Sequence, residues 1–222
     1  VEARGAGGHA VIAAGHEAAA HGEAVTSLVL IPSLVDVLKI PVIAAGGFAD
    51  GRGLAAALAL GAEGIAMGTR FMTTKDSPLH ENFKRLSIEK GVTDTLYSKR
   101  VDGICCRVLK TEAAERAVRN GLDWLAAFSN SRDIAAQLHL PYAKLFLGVL
   151  ASGWKNAVQL AYMANGFKAF KRATEDGDLE KGILPVGQVT GLVHDEPAVR
   201  EVIERMVAEA NRVSGKLSGQ LV

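Results

Sequence analysis

The stretch PVIAAGGFADGRGLAAALALGAEGIAMGTRF, residues 41–71, decides the reading of the fold. It opens on an apolar run between Pro41 and the Gly46-Gly47 pair, continues through an alanine-rich segment that stops at Gly61, and returns to a second apolar run, EGIAMGT, over residues 63–69. Apolar runs of four or five residues without alternation are what a parallel strand covered on both faces requires. The alanine-rich segment between them has the composition of a crossover helix. Strand, helix, strand in this order is a βα unit of an α/β protein. Toward the N-terminus, residues 10–13 supply another short strand, and SLVDVL (residues 33–38) has helical spacing after Pro32. The opening VEARGAGG reads as the last turn of a helix followed by a glycine-rich stop, so the chain is expected to start in the middle of a fold.

Beyond Arg70 the texture changes. Charged segments of helical character carrying Trp124, Trp154 and Phe170 run over residues 81–172, followed by the loop TEDGDLEKGILPVGQVTG and an amphipathic helix over residues 196–213. The expected organisation is a barrel-like region at 1–75, a helical insert and lid at 76–195, and a C-terminal helix at 196–222. PVGQVTG is too glycine-rich for a helix and too apolar for a free tail. Trp154, Tyr162 and the loop through Gly187 and Gln188 are therefore expected to fold back over the binding site.

Composition narrows the partners. The 222 residues are 49% hydrophobic, with 25 Lys and Arg against 24 Asp and Glu and a net charge of +1. No basic run gives an electrostatic footprint for nucleic acid or an anionic membrane. The longest apolar stretch, residues 26–32, is far below the roughly 20 residues that span a bilayer, and the start lacks the order of a signal peptide. Cys105 and Cys106 are adjacent, which is poor geometry for a structural disulfide, and they read as reduced thiols. These features fit a soluble cytoplasmic protein with a small-molecule partner, and a homodimer is compatible with them.

The chemistry concentrates in two glycine turns, AAGGFADGRG (residues 44–53) and AMGTRF (residues 66–71), each at the C-terminal end of an expected strand. Glycines there let bare backbone amides approach a phosphate. In a (β/α)8 barrel the loops after strands seven and eight form the usual phosphate site. The simpler alternative is a pair of tight turns with Thr69 as a helix cap. Upstream, GHEAAAHG carries His16 and His21; His9 and His16 read as structural or surface residues.

These segments resemble the nitronate monooxygenase family, once called 2-nitropropane dioxygenases, which also includes FMN-dependent enoyl reductases and quinone reductases. The resemblance rests on residues 41–71, on GHEAAAHGEAVTSLVLIPSLVDVL and on GILPVGQVTGLVHDEPAVREVIERMV. It implies the C-terminal portion of a (β/α)8 TIM barrel, with AVIAA, PVIAA and GIAMG as strands six to eight, a helical lid region after them and strands one to five outside this sequence. It further implies FMN as cofactor, His21 as the catalytic base, and cofactor contacts at Ala19, Ala20, Gly46, Gly47, Ala66, Met67, Gly68 and Thr69, to which the folded-back loop adds Gln188. Two positions depart from the family pattern. Ala19-Ala20 stand where the family has Gly-Gly before the histidine, and Ala14 where it often has Gln. The activity implied first is oxidation of alkyl nitronates or nitroalkanes with oxygen. The alternatives are reduction of enoyl thioesters or quinones with NAD(P)H, and a non-catalytic partial-barrel fragment or subunit. No metal site is expected.

Overall fold

The two apolar runs of residues 41–71 form neighbouring parallel strands. The structure, a computed structural model, describes residues 8–22, 24–137, 139 and 141–220; the helix turn expected at the start lies outside the described residues. β1 (Val11–Ala14), β2 (Val42–Ala45) and β3 (Gly64–Ala66) make one sheet in the order β1-β2-β3, with Val11 opposite Val42 and Ile43 opposite Gly64. α1 (Ser27–Val35) and α2 (Gly51–Ala59) connect them. Ala13, Ile31, Val42, Ala44, Phe48, Ala57 and Ala62 form the buried core of this unit. Burying Ile31 completely contributes about 1.5–3 kcal/mol. Small residues at Ala13, Ala44 and Ala57 let helix and sheet come close.

α1 differs from the helix expected at residues 33–38. It begins at Ser27 and contains Pro32, because its first turn is held from ten residues upstream. The Glu17 carboxylate accepts the Ser27 amide at 3.0 Å and the Ser27 hydroxyl at 3.0 Å, whereas the N-cap Thr26 makes no side-chain cap bond. Pro32 removes one backbone donor inside the helix, and the burial of Ile31 beside it offsets that loss. α2 is capped locally, Asp50 accepting the amides of Arg52 at 3.0 Å and Gly53 at 3.1 Å.

The second half is not purely helical. After α3 (Thr69–Met72) and α4 (Glu81–Ile88), β4 (Thr95–Ser98) and β5 (Cys106–Leu109) pair as an antiparallel hairpin, which corrects the all-helical reading of residues 81–172. Every residue of β5 is buried, so it shows no alternation to betray it. α5 (Glu112–Asn120), α6 (Trp124–Gln137), α7 (Tyr142–Ala151) and α8 (Trp154–Lys171) follow, and a π-helical turn, Arg172–Asp176, ends α8. The glycine-rich loop then contains a short 3-10 turn, Gln188–Leu192. α9 (Val199–Ser218) buries Val202, Met206 and Ala210, one per turn. It crosses α2 at Gly51, where an added Cβ would stand 2.4 Å from the Met206 carbonyl oxygen, and Glu209 accepts the Gly51 amide at 2.8 Å. The closing helix is thereby fixed to the unit that carries the glycine turns.

Candidate functional site

A cavity of about 290 Å³ opens at the C-terminal ends of β2 and β3. Its walls come from the loop after β1 (Ala18, Ala19), the turn after β2 (Ala45 to Phe48), the turn after β3 (Ala66 to Thr69) and the late loop (Gly187, Val189). Gly46 and Gly47 adopt φ of +87° and +83°, the left-handed region that favours glycine. A Cβ on Gly46 would stand 3.0 Å from both Cβ and N of Ala18. At Gly68 an added Cβ meets nothing within 4 Å, because it would enter the cavity. Among the described residues no acceptor takes the backbone N–H of Gly46, Gly47 or Gly68. Unpartnered amides beside an open space are a ready anion cradle.

Polar bonds lock the walls together. The Ser27 hydroxyl donates to the Gly46 carbonyl at 2.9 Å, the Gly187 amide donates to Thr69 Oγ1 at 2.9 Å, and the Gln188 amide donates to the Glu17 carbonyl at 3.0 Å. Thr69 is buried, and its Oγ1 accepts from Gly187 at the cavity wall. Beside the cavity, Arg70 is buried and pairs with Asp195 at 2.8 Å, and Asp195 also accepts from Arg205 at 2.5 Å. Burial would raise the Asp195 carboxyl, but the bonds from Arg205 and Arg70 win and hold it below the usual carboxylate range.

The structure brings Ala19, Gly46, Gly47, Ala66, Met67, Gly68 and Thr69 to one cavity. Gln188 is not in the lining; its neighbours Gly187 and Val189 are. Ala20 turns away at φ +51° and joins β5 through Ala20 N–H to Arg107 O at 3.1 Å and Arg107 N–H to Ala20 O at 2.8 Å. A left-handed alanine costs about 1–2 kcal/mol, which the paired bridge offsets. Ala20 thus adopts the kind of backbone that a glycine takes freely. Trp154 lies elsewhere, in an apolar cavity of about 300 Å³ shared with Trp124, Phe128 and Tyr142 of α6 to α8, and Tyr162 lines neither cavity. Of the expected cover, only the Gly187 loop reaches the glycine turns.

His21 stands two residues beyond Ala19 and outside the cavity lining, its Nε2 2.6 Å from Asp102 Oδ2. Half of its side chain is exposed (50%), against 7% for Asp102. Cys106 lies beside the same carboxylate; burial first, and then the Asp102 charge and hydrogen bond, push its thiol up to about 12. His16 stacks edge-on against Tyr97 at 4.8 Å and its carbonyl accepts from Arg107 at 3.0 Å, and His9 is exposed. Both thiols are free. Sequence reasoning missed Asp102, which is 81 positions from its partner, and Glu17, whose carbonyl and carboxylate tie the loop after β1 to the late loop and to the start of α1 although it lies inside the quoted histidine segment.

Fold and site together define an α/β protein with glycine turns around a cavity at the C-terminal ends of adjacent parallel strands, and with a histidine on the loop after β1 paired to a carboxylate. The chain belongs to the nitronate monooxygenase family, whose model matches residues 1–209. A Rhodococcus jostii (3aS,4S,5R,7aS)-5-hydroxy-7a-methyl-1-oxo-octahydro-1H-indene-4-carboxyl-CoA dehydrogenase is 38% identical, over 92% of this chain and 59% of its own. A Staphylococcus aureus probable nitronate monooxygenase is 40% identical, over 50% of this chain and 34% of its own. Among solved structures, FabK from Thermotoga maritima matches with a TM-score of 0.73 and 32% identity, covering 99% of this chain and 60% of that one. The family is one of oxidoreductases, and the fold is α/β with barrel-like relatives. The chain spans about 60% of the length of these full-coverage relatives. No helix among the described residues is long and apolar enough to cross a membrane.

Proposed function

We propose that this chain carries the flavin site of an FMN-dependent oxidoreductase, with β1, β2 and β3 as strands six to eight of a (β/α)8 barrel. On this reading residues 1–75 belong to the barrel, 76–195 to an insert with the cover loop, and 196–222 to the closing helix. The observation that carries it is the cavity at the strand ends, where among the described residues no acceptor takes the amides of Gly46, Gly47 and Gly68, and where an added Cβ at Gly68 would enter open space. Such amides, with the Thr69 hydroxyl, suit the terminal phosphate of a mononucleotide; the G-x-G-x-x-G turn of dinucleotide sites is a different device. Phe48, Met67 and Val189 line the cavity with apolar surface that excludes water. When bound, FMN supplies the redox chemistry, accepting electrons from substrate.

The chain's own contribution to the reaction is proton transfer at His21. Imidazole titrates near neutral pH, so it can take a proton at physiological pH and release it again. With a nitroalkane, His21 takes the proton from the carbon bearing the nitro group, and the resulting nitronate is the species oxidised. Membership of the nitronate monooxygenase family supports this substrate class. A second reading, a hydroxylated acyl-CoA, is favoured by the Rhodococcus relative, which matches over 92% of this chain against 50% for the Staphylococcus one. There His21 takes the hydroxyl proton as the carbinol carbon gives up its hydride. The two are separated by supplying each substrate to the FMN-loaded protein without NAD(P)H. Oxygen uptake with alkyl nitronates establishes the first, and bleaching of the flavin by a hydroxyacyl-CoA under nitrogen establishes the second. A protein that holds no FMN contradicts the proposal as a whole.

A further inference from the structure

The loop that carries His21 and the loop that carries Asp102 are far apart in sequence and held together from three sides. The Ala20 and Arg107 backbones exchange two hydrogen bonds, at 3.1 and 2.8 Å, which sets the height of His21 against the hairpin. Tyr97 of β4 donates its hydroxyl to the Gly22 carbonyl at 2.6 Å, on the other side of His21. Behind Asp102, α8 presses so close at Gly166 that an added Cβ there would stand 2.7 Å from Asp102 Cβ. Asp102 has no room to swing away.

Its carboxylate is buried and surrounded by donors. Oδ1 accepts the Ile104 amide at 3.2 Å and Oδ2 meets His21 Nε2 at 2.6 Å, while the Cys106 thiol lies beside the same group and donates to the Arg107 carbonyl. With its titration pushed up to about 12, chiefly by burial, Cys106 stays a protonated donor and is no nucleophile. The donor atoms of His21, Asp102 and Cys106 lie within 4.8 Å of one another. Two ligands bound tetrahedrally at about 2.0 Å to one zinc would stand about 3.3 Å apart, so the 2.6 Å contact of nitrogen and oxygen is a hydrogen bond and not an ion's coordination edge. A carboxylate only accepts, so the histidine nitrogen facing it must be the one that carries hydrogen.

We propose that Asp102 is the positioning residue of His21, fixing the neutral imidazole with its hydrogen on Nε2 so that Nδ1 is the atom that takes the substrate proton. The inference rests on the reading of His21 as the base and adds which nitrogen acts and what holds it. It also gives the half-exposed ring a fixed direction. The Nε2 edge is anchored at Asp102, and half of the side chain stays exposed. After proton transfer the imidazolium donates from both nitrogens, and the buried carboxylate stabilises the positive charge. The proton leaves to solvent through the exposed half of the ring.

The decisive measurement is the nitrogen-15 spectrum of the His21 ring in the FMN-loaded protein, assigned by its disappearance in His21→Asn. The expected pattern is a hydrogen-bearing Nε2 and a bare Nδ1 at a pH where the ring is neutral. In Asp102→Asn the amide can donate to Nε2 and should move the hydrogen to Nδ1. That variant should keep its flavin and its melting temperature within a few degrees, and lose about 10²- to 10⁴-fold in kcat with little change in KM on a substrate that must be deprotonated. Hydrogen on Nδ1 in the unmodified protein overturns the proposal even if Asp102→Asn fails to fold. So does an Asp102→Asn enzyme with unchanged kcat while His21→Asn is crippled. A His21→Asn enzyme with full activity instead removes the underlying base assignment, whatever the tautomer.

Discussion

Replacing Gly68 by Val separates the cavity's role in binding from its role in the fold. Gly68 has φ −91° and ψ −68°, a backbone open to any residue, and an added Cβ meets nothing within 4 Å. As the residue before α3 it makes no side-chain cap bond to lose, so the apoprotein should change in stability by no more than about 0.5 kcal/mol. The isopropyl group would instead occupy the space assigned to the phosphate. Overpacking a filled site costs about 1–3 kcal/mol, and at about 1.4 kcal/mol per decade the FMN Kd should rise about 5- to 150-fold. Gly46→Ala is the opposite case. Its φ of +87° costs an alanine about 1–2 kcal/mol, and contacts at 3.0 Å to Ala18 add about 1–3 kcal/mol. A loss of about 2–5 kcal/mol in folding stability is expected. Urea unfolding of the two apoproteins and fluorescence titration with FMN measure both quantities. FMN affinity unchanged in Gly68→Val would refute the assignment of the phosphate site, and an undiminished stability in Gly46→Ala would refute the steric reasoning behind it.

Three further outcomes follow from contacts around the site. Asp50→Ala removes the cap of α2, with its bonds to Arg52 and Gly53, and should cost about 1 kcal/mol by urea unfolding. Asp195 is held below the ordinary carboxylate range in the folded protein, so its stabilising contribution is complete above its unfolded pKa near 4 and disappears as pH falls through the lower folded value. Asp195→Asn should accordingly be least stable relative to the parent at neutral pH, where buried Arg70 loses its anion, and converge with it in thermal scans as pH falls below the ordinary carboxylate range. Lys84 is buried between Glu81 and Glu196, so Lys84→Met, which removes a buried charge and keeps its volume, should change the melting temperature little, whereas Glu196→Leu, which leaves the buried lysine only the exposed Glu81, should lower it more.

Much of the cavity was legible in the sequence because its signals are local. Gly46, Gly47 and Gly68 sit directly after apolar runs, and a strand end followed by glycine says where the backbone must turn and what it can approach. Ala66, Met67 and Thr69 come with them by adjacency. What escaped was non-local or balanced. The hairpin escaped because its strands are four residues long and β5 is buried throughout. The start of α1 escaped because its first turn is held by Glu17 from outside the helix, which let Pro32 lie within it. Asp102 was invisible because nothing in VDGICC says that the chain returns to His21, a meeting fixed by the Ala20–Arg107 bridge. Trp154, expected over the binding site together with the late loop, instead finds Trp124 at 5.4 Å among the helices.

The central claim, a flavin held by backbone and a proton moved by His21, is tested most directly by the rates of FMN-loaded His21→Asn on one nitroalkane in its neutral and pre-ionised forms. The account predicts retained flavin, a loss of about 10²- to 10⁴-fold on the neutral nitroalkane, and a much smaller loss on the nitronate, whose proton is already gone. Equal losses on both forms with FMN still bound, or release of FMN on this substitution, would contradict it.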